Sequence, residues 1–408
     1  MKVLYLSYDG MTDQLGQSQV LPYLIGLSNL GHTFHLVSFE KEDRFQKEKH
    51  RIEDLLNGTA IIWVPIRYHK NPPVISTIID LIALKKKVDA LQVKHQFDIV
   101  HCRSYITALA GLSMKKKYGL KFIFDMRGFY ADERVDGGIW NLSNPVFKSV
   151  YKYFKRKEAE FLRNADAIIS LTYAAEAIMQ NWKLKPGKLP ITVIPCCADL
   201  DLFDYNNVDH SSLHQIRNQL QIKPEQFVLT YLGAIGTWYL LDEMLDFFSV
   251  LLTYLPHAVF LFVTNENAEE ILKRLPGKNI LPQSVRIVSA KRDEVPLYLG
   301  LSNYSIFYIM SVFSKKASSP TKQAEIMGMG VPLICNSGIG DTDLVVNKFA
   351  SGLLTNCFTA THYNEAVKKI VSGYEFSKNK IRAGAIEFYS LKTGVKRYNE
   401  VYLNVKNQ

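Results

Sequence analysis

Residues 314–341 combine the features of an anion-binding site, reading SKKASSPTKQAEIMGMGVPLICNSGIGD. Pro320 is predicted as the first residue of a helix and Ser319 as its N-cap, because proline has no N–H to leave unpaired there. Free N–H groups and the positive dipole end of such a helix attract an anion, and Lys322 adds a full charge. This stretch therefore predicts a phosphate-binding helix start, with the amides of Ser319 and Thr321 turned to the ligand.

Glu325 lies in the second turn of the same predicted helix, on a face that looks back toward the pocket. A carboxylate beside a bound phosphate is suited to holding hydroxyl groups, so the pair indicates a nucleotide-activated substrate. An ordinary helix–strand unit of an α/β domain accounts for this stretch equally well. The choice depends on the rest of the chain.

The composition is that of an ordinary globular protein with two domains. The chain has 408 residues, of which 47% are hydrophobic and 22% charged. Its five cysteines are an odd number without CxxC spacing, which favours reduced thiols in a cytoplasm and argues against a zinc site. No apolar run approaches the roughly 20 residues of a membrane-spanning helix.

The net charge of +10 is concentrated in the first half, in clusters at 85–87, 115–117 and 152–157. Basic helices with aromatic neighbours suit an anionic membrane surface or a phosphorylated acceptor. For any single cluster, a solvated helix face that happens to be basic is the more usual explanation. No nucleic-acid-binding motif accompanies the charge, so nucleic acid is not expected as a partner.

Short apolar runs rich in β-branched residues alternate with helical patterns, which is typical of parallel sheets covered on both faces. The predicted strands are 3–7, 35–39, 60–65, 97–101, 122–125, 167–171 and 192–195, then 227–232, 258–264, 285–288, 305–309, 331–335 and 352–354. The predicted helices are 19–30, 76–95, 106–117, 145–164 and 173–180, then 240–255, 268–274, 293–301, 321–329, 342–347 and 362–372.

This pattern predicts an α/β protein with two Rossmann-like domains whose strand ends face each other across a cleft. We place the first domain at 1–200 and the second at 201–385. A C-terminal helical segment, 386–408, is expected to pack back on the first domain. Ligands of such sheets bind beyond the carboxyl ends of the strands, so the loops there are the candidate sites.

Glycines stand in two of these loops. Gly16 follows the first strand of the chain and leads into a helix. Gly233 and Gly236 follow the first strand of the second domain. Each allows backbone N–H groups to approach a ligand, in the manner of phosphate-binding glycine turns.

Charged residues follow two strands of the first domain. His101 and Arg103 stand at the end of the fourth strand, and a histidine there is more often structural than catalytic. The next strand leads into a charged glycine-bearing loop at 125–138. In that loop we favour a site role for Arg127, and for Asp125 or Glu133.

The whole chain resembles the retaining, nucleotide-sugar-dependent glycosyltransferases of the GT-B architecture, in the large group like glycosyltransferase family 4. The motifs are the glycine loop at Gly16, the Gly31–His32 pair, VIPCCADLDLF at 193–203, and PTKQAEIMGMGVPLI followed by GIGD. The last is the most specific, since it combines a Glu, two glycines and a Pro at fixed offsets.

The resemblance implies that the second domain binds a nucleotide sugar, which is a UDP-, GDP- or otherwise activated sugar. It also implies that the first domain binds the acceptor. Glu325 matches the second Glu of the family's Glu-x7-Glu pair and would hold the ribose. The first Glu is replaced by Ala317, and the family's phosphate-binding Arg and Lys are missing from the loop at Gly233. The donor-binding residues are then Gly16, Gly233, Gly236, Ser319, Thr321, Lys322 and Glu325.

The implied reaction moves a sugar onto a lipid-linked or polysaccharide acceptor with retention, in bacterial cell-surface glycan synthesis. No cofactor or metal is expected, because Lys322 and the helix start would stabilise the leaving diphosphate. The resemblance further implies a cytoplasmic location, on the inner face of the inner membrane. The candidate catalytic residues are Arg127, Lys322, Glu325 and His101. The candidate acceptor-binding residues are Asp125, Arg127, Glu133 and Arg103.

Two other functions fit the same fold. A sugar-nucleotide epimerase would give a product of unchanged mass. A non-catalytic sugar-nucleotide-binding partner of another transferase would explain the missing Glu and Arg/Lys, and donor turnover by the purified chain separates it from an enzyme.

The helix start yields a direct test. Replacing Lys322 or Glu325 with alanine is expected to cut glycosyl transfer strongly while the fold remains intact, because both side chains are predicted near a helix start. Transfer rates and circular dichroism of the two variants check this. Wild-type rates in both would remove the proposed site.

Overall fold

The computed structural model describes residues 1–407, which form two compact units. The first unit comprises Met1–Pro195, Lys316–Ser318 and the C-terminal residues from Leu391. The second comprises Cys196–Lys315 and Ser319–Ser390. Each unit contains one parallel sheet, which confirms the predicted pair of α/β domains.

The first domain is a seven-stranded sheet in the order β3-β2-β1-β4-β5-β6-β7, with every neighbouring pair parallel. The interior strand β1 is buried on both faces because its residues Val3, Leu4 and Leu6 are all apolar. The strands are β1 (Lys2–Ser7), β2 (Thr33–Glu40), β3 (Ile61–Arg67), β4 (Ile99–Arg103), β5 (Lys121–Asp125), β6 (Ala167–Ser170) and β7 (Ile191–Val193).

The first domain's helices connect these strands. They are α1 (Gln14–Gln19), α2 (Leu21–Asn29), α3 (Glu42–Leu56), α4 (Ile75–His95), α5 (Ser104–Tyr118), α6 (Tyr130–Asp136), α7 (Pro145–Asn164) and α8 (Tyr173–Asn181). Helix α6 corrects the sequence prediction, which made 125–138 a loop. Phe129 and Ala131 are fully buried and anchor this short helix, and two acidic residues occupy its first turn.

The second domain is a six-stranded parallel sheet in the order β10-β9-β8-β11-β12-β13. Its strands are β8 (Val228–Leu232), β9 (Val259–Val263), β10 (Val285–Val288), β11 (Tyr304–Phe307), β12 (Leu333–Asn336) and β13 (Gly352–Thr355). Its helices are α9 (His210–Gln219), α10 (Leu241–Tyr254), α11 (Glu269–Leu272), α12 (Val295–Gly300), α13 (Thr321–Gly328), α14 (Thr342–Phe349), α15 (Ala360–Val371) and α16 (Lys378–Tyr389).

In each sheet the strand order reverses beside the first strand of the domain. The reversal lies between β1 and β4 in the first sheet and between β8 and β11 in the second. Such a reversal opens a crevice at the carboxyl ends of the strands, where open α/β sheets bind ligands. The loop after β8 therefore stands at the expected binding edge of the second domain.

The C-terminal helix α17 (Leu391–Lys406) returns to the first domain, as predicted. Its Tyr398 hydroxyl donates to Asp125 Oδ2 at 2.9 Å. The Tyr402 hydroxyl lies 2.7 Å from His101 Nδ1. All four side chains are buried, so these polar contacts tie the helix to the middle of β4 and the end of β5.

Removing one of these hydroxyls tests the docking of α17. Tyr398→Phe is expected to lower the free energy of unfolding by about 1–3 kcal/mol, because the buried Asp125 carboxylate loses a donor that water does not replace. Tyr374→Phe, on a side chain that is 57% exposed, is the control and should be nearly neutral. Urea unfolding measures both. Equal midpoints for the two variants would show that the bond stabilises nothing.

Candidate nucleotide-binding site

Helix α13 begins at Thr321, and its N-cap is Pro320 rather than Ser319. This corrects the predicted cap by one residue. The Ser319 hydroxyl accepts a hydrogen bond from the Cys196 amide at 3.1 Å, so it does not cap the helix. No side chain bonds the free amides at the start of α13, which leaves them without a capping oxygen.

Lys322 lies in the first turn of α13 with only 7% of its surface exposed. Its ammonium donates to the Tyr231 hydroxyl at 3.1 Å. The same ammonium lies 4.3 Å from the centre of the Tyr231 ring and 3.6 Å from that of Tyr239. Within residues 1–407 no carboxylate oxygen lies within the 4.0 Å of an ion pair with it. Its nearest partners are thus two aromatic faces and one hydroxyl, and Glu325, further along α13, attracts it from beyond ion-pair distance.

Gly233, directly after β8, brings backbone against this ammonium. Its φ of 111° favours glycine, and a Cβ there would lie 3.0 Å from Lys322 Nζ. Gly236 also has a positive φ, of 106°, but no atom lies within 4 Å of its missing Cβ. Glycine is therefore favoured at position 233 both by the positive φ and by the nearby Lys322 ammonium. At position 236 the positive φ alone favours it.

Glu325 is one turn further along α13 and is also 7% exposed. Its Oε1 accepts from Arg292 Nη1 at 2.8 Å, and the Arg292 guanidinium lies 5.2 Å from the Phe203 ring centre. Burial raises the pKa of the Glu325 carboxyl, and Arg292 opposes that shift. The arginine thus stabilises and orients the carboxylate.

A second lysine at this edge is also covered by an aromatic ring. Lys315 Nζ lies 3.6 Å from the centre of the Trp238 ring. Trp238 and Tyr239 both belong to the loop between β8 and α10, so one loop supplies a ring to each of two lysines. The sequence showed both aromatics but not their targets, because the lysines lie about 80 residues away.

The first domain collects charged side chains at the ends of its central strands. Arg103 is 3% exposed and donates from Nε to Asp9 Oδ2 at 3.1 Å. Arg127 adopts a left-handed φ of 58° and lies 3.8 Å from Asp125 Oδ1. Burial opposes ionisation of Asp125, but Arg127, His101 and Arg103 together hold its pKa below the ordinary value.

Three further predicted residues of the first domain have different surroundings. His101 is fully buried between Tyr402 and Asp125, and burial lowers its pKa. Gly16 lies inside α1, where a Cβ would stand 2.1 Å from the Gly10 carbonyl oxygen, so close packing of the loop requires glycine. Glu133 lies in the first turn of α6 and is half-buried.

The comparisons with known proteins agree with this architecture. Residues 20–202 match the family model described as Glycosyltransferase Family 4. This match spans less than half of the chain. No curated protein sequence matches it.

Solved structures share the two-domain GT-B fold with this chain at low sequence identity. A glycosyltransferase from Rickettsia africae has 16% identity and a TM-score of 0.72 over 99% of this chain and 98% of that one. HepE from Anabaena, solved in complex with UDP, has 13% identity and a TM-score of 0.74 over 99% and 100%. A putative UDP-N-acetylglucosamine 2-epimerase from Listeria monocytogenes has 11% identity and a TM-score of 0.59 over 98% and 94%.

Neither a metal centre nor a membrane span is found in the described part of this chain. Residues 1–407 contain no group of three or more His, Cys, Asp or Glu side chains placed to hold a metal ion. Over the same residues, every helix is too short or too polar to cross a membrane.

The buried ammonium makes stability depend on pH. Burial lowers the pKa of Lys322 well below its ordinary 10.5, so between the two values the unfolded chain binds more protons. The contribution of Lys322 to the free energy of unfolding therefore rises as pH increases through that window. Lys322→Met is expected to be at least as stable as the parent at pH 7, and to lose that advantage as pH approaches 10.

Urea unfolding at several pH values measures this, with Lys273→Met as the control because that lysine is 57% exposed. The control should follow the parent at every pH. A Lys322→Met deficit of constant size across the pH range would contradict the assignment of a strained buried charge.

Proposed function

We propose that the chain is a glycosyltransferase that binds the diphosphate of a nucleotide-sugar donor at Lys322, Gly233 and the start of α13. The observation that carries this proposal is the ammonium of Lys322, buried without a carboxylate at the binding edge of the second sheet. Burying an unpaired charge costs stability, and a diphosphate supplies the missing negative charge. The uncapped amides of α13 add donors for the same anion.

The donor is proposed to carry uridine. The neighbour HepE was solved with UDP and with UDP-glucose, which supports testing uridine nucleotides first. The ribose hydroxyls then bind the Glu325 carboxylate, which Arg292 orients through Oε1. Ser319, Thr321 and Gly236 line the path of the diphosphate in this proposal.

The proposed reaction proceeds with retention of configuration. The sugar–phosphate bond breaks, the leaving diphosphate takes the acceptor's hydroxyl proton, and the acceptor oxygen forms the new glycosidic bond. Lys322 stabilises the charge that develops on the diphosphate, and the metal-independent reaction needs no side-chain nucleophile. In this proposal Arg103, Arg127 and Glu133 bind the acceptor. Asp125, predicted to share that role, is fully buried and instead orients Arg127, with His101 beside it in the middle of β4.

We further propose a hexosyl donor and a lipid-linked or polysaccharide acceptor in bacterial cell-surface synthesis. Exposed lysines on the first domain support work at the cytoplasmic face of the inner membrane, where such acceptors are available. The runner-up is a sugar-nucleotide epimerase, supported by the fold shared with the Listeria protein. An epimerase product has the mass of the donor, whereas transfer releases a nucleoside diphosphate.

Thermal unfolding with UDP, GDP, ADP and UDP-glucose tests the donor site. UDP and UDP-glucose are expected to raise the melting temperature of the parent, since ligand at 100 times Kd adds about 2.7 kcal/mol. Lys322→Ala should bind at least about tenfold more weakly, because a charge-assisted contact is lost. Lys273→Ala, remote from the site in sequence and exposed, is the matched control.

An equal shift in Lys322→Ala and in the parent would remove the proposed site. A nucleotide shift without release of UDP from UDP-sugars, in the presence of lipid-linked acceptors, would instead favour the non-catalytic binding partner.

A further inference from the structure

The first two turns of α4 turn their apolar side chains outward. Ile75, Ile78, Ile79 and Ile82 are exposed to 55%, 52%, 47% and 63%. Their spacing of three and four residues places them on one side of the helix, here named the isoleucine face. Single exposed apolar side chains are common, but four on one stripe form a patch that water solvates poorly.

The buried side of the same two turns is polar. Ser76 and Asp80 are 3% and 0% exposed. Asp80 Oδ2 accepts from the Tyr8 hydroxyl at 2.8 Å, and Oδ1 lies 2.6 Å from His69 Nδ1. These bonds fix the rotation of the helix, so the isoleucines do not turn inward. The start of α4 thus has the reverse of the usual pattern for a surface helix.

The next turn of α4 carries three exposed lysines, Lys85, Lys86 and Lys87. None of them lies within 4.0 Å of a carboxylate oxygen in residues 1–407. Lys70, just before the helix, is exposed as well. The isoleucine face is therefore followed by cationic charge that the protein itself does not neutralise.

The other lysine clusters of the first domain are largely neutralised within the protein. The ion pairs are Lys115–Asp166 at 2.6 Å, Lys116–Glu160 at 2.7 Å, Lys117–Asp89 at 3.2 Å, Lys155–Asp132 at 2.8 Å and Lys157–Glu160 at 2.7 Å. The three clusters, which look alike in sequence, therefore differ in the charge they offer to a partner. The unpaired triplet is the one beside the isoleucines.

We propose that the isoleucine face of α4 inserts into the interfacial layer of an anionic membrane, with Lys85–Lys87 contacting the lipid headgroups. Apolar side chains beside unpaired lysines match acyl chains beside negative headgroups. A second copy of the chain is a poorer occupant, because a twofold contact brings two unpaired lysine triplets to one interface. The inference gives the proposed membrane location a defined surface, and it does not depend on the identity of the donor.

Vesicle flotation of the full chain without nucleotide tests this. The vesicles are phosphatidylcholine alone or with about 30% phosphatidylglycerol. The parent is expected to bind the anionic vesicles. Ile78→Glu/Ile82→Glu is expected to bind at least about tenfold more weakly, since two apolar side chains that would enter the membrane become charged. A Lys85/Lys86/Lys87→Gln variant should lose about fivefold per lysine on anionic vesicles only.

Leu272→Glu/Leu281→Glu is the matched control, with two exposed leucines of the second domain at 42% and 60%, and it should bind like the parent. Circular dichroism and the UDP-induced thermal shift show whether each variant is folded. The flotation result can be interpreted even if the chain does not bind UDP, because flotation is measured without nucleotide. Unchanged flotation of Ile78→Glu/Ile82→Glu would overturn the proposal. So would a parent that ignores vesicles but dimerises through this face, becoming monomeric in the same variant.

Discussion

The candidate site of the second domain is built around one buried charge, the ammonium of Lys322 against the rings of Tyr231 and Tyr239. Aromatic faces and a hydroxyl stabilise an ammonium less than a carboxylate or water does, so an anion placed beside Lys322 would lower the free energy of the domain. The start of α13 has no capping side chain, so its free amides also favour a negative charge there. Both features cost the ligand-free domain stability.

The surrounding fold holds this charge in place from two sides. Strand β8 supplies Tyr231 and then turns at Gly233, whose missing side chain makes room for the ammonium. The other end of α13 is fixed by Arg382, which donates to the Gly328 carbonyl at 2.7 Å and to those of Leu200 and Phe203. The helix is therefore positioned at both ends, and binding an anion requires little rearrangement of its backbone.

Much of this architecture is predictable from sequence, because buried parallel strands consist of short apolar runs. All thirteen predicted strands overlap observed ones. Helix α3 was missed because only its Ile52 and Leu56 are buried, which leaves no apolar period in a charged segment. The pairing of Glu325 with Arg292 was missed for a different reason. It joins helix α13 to a turn 33 residues earlier in the chain, and the sequence around an arginine does not indicate its partner. Which lysines remain unpaired was not predictable from sequence either, because it depends on ion pairs between helices that are far apart in the chain.

The central claim is that the donor diphosphate is bound by Lys322 at the start of α13. A crystal structure of the full chain soaked with UDP tests it most directly. The account predicts phosphate oxygens within about 3 Å of Lys322 Nζ and of the Thr321 amide, with the ammonium drawn away from the Tyr239 ring. UDP bound with its phosphates elsewhere, and Lys322 still held by Tyr231 and Tyr239, would contradict it.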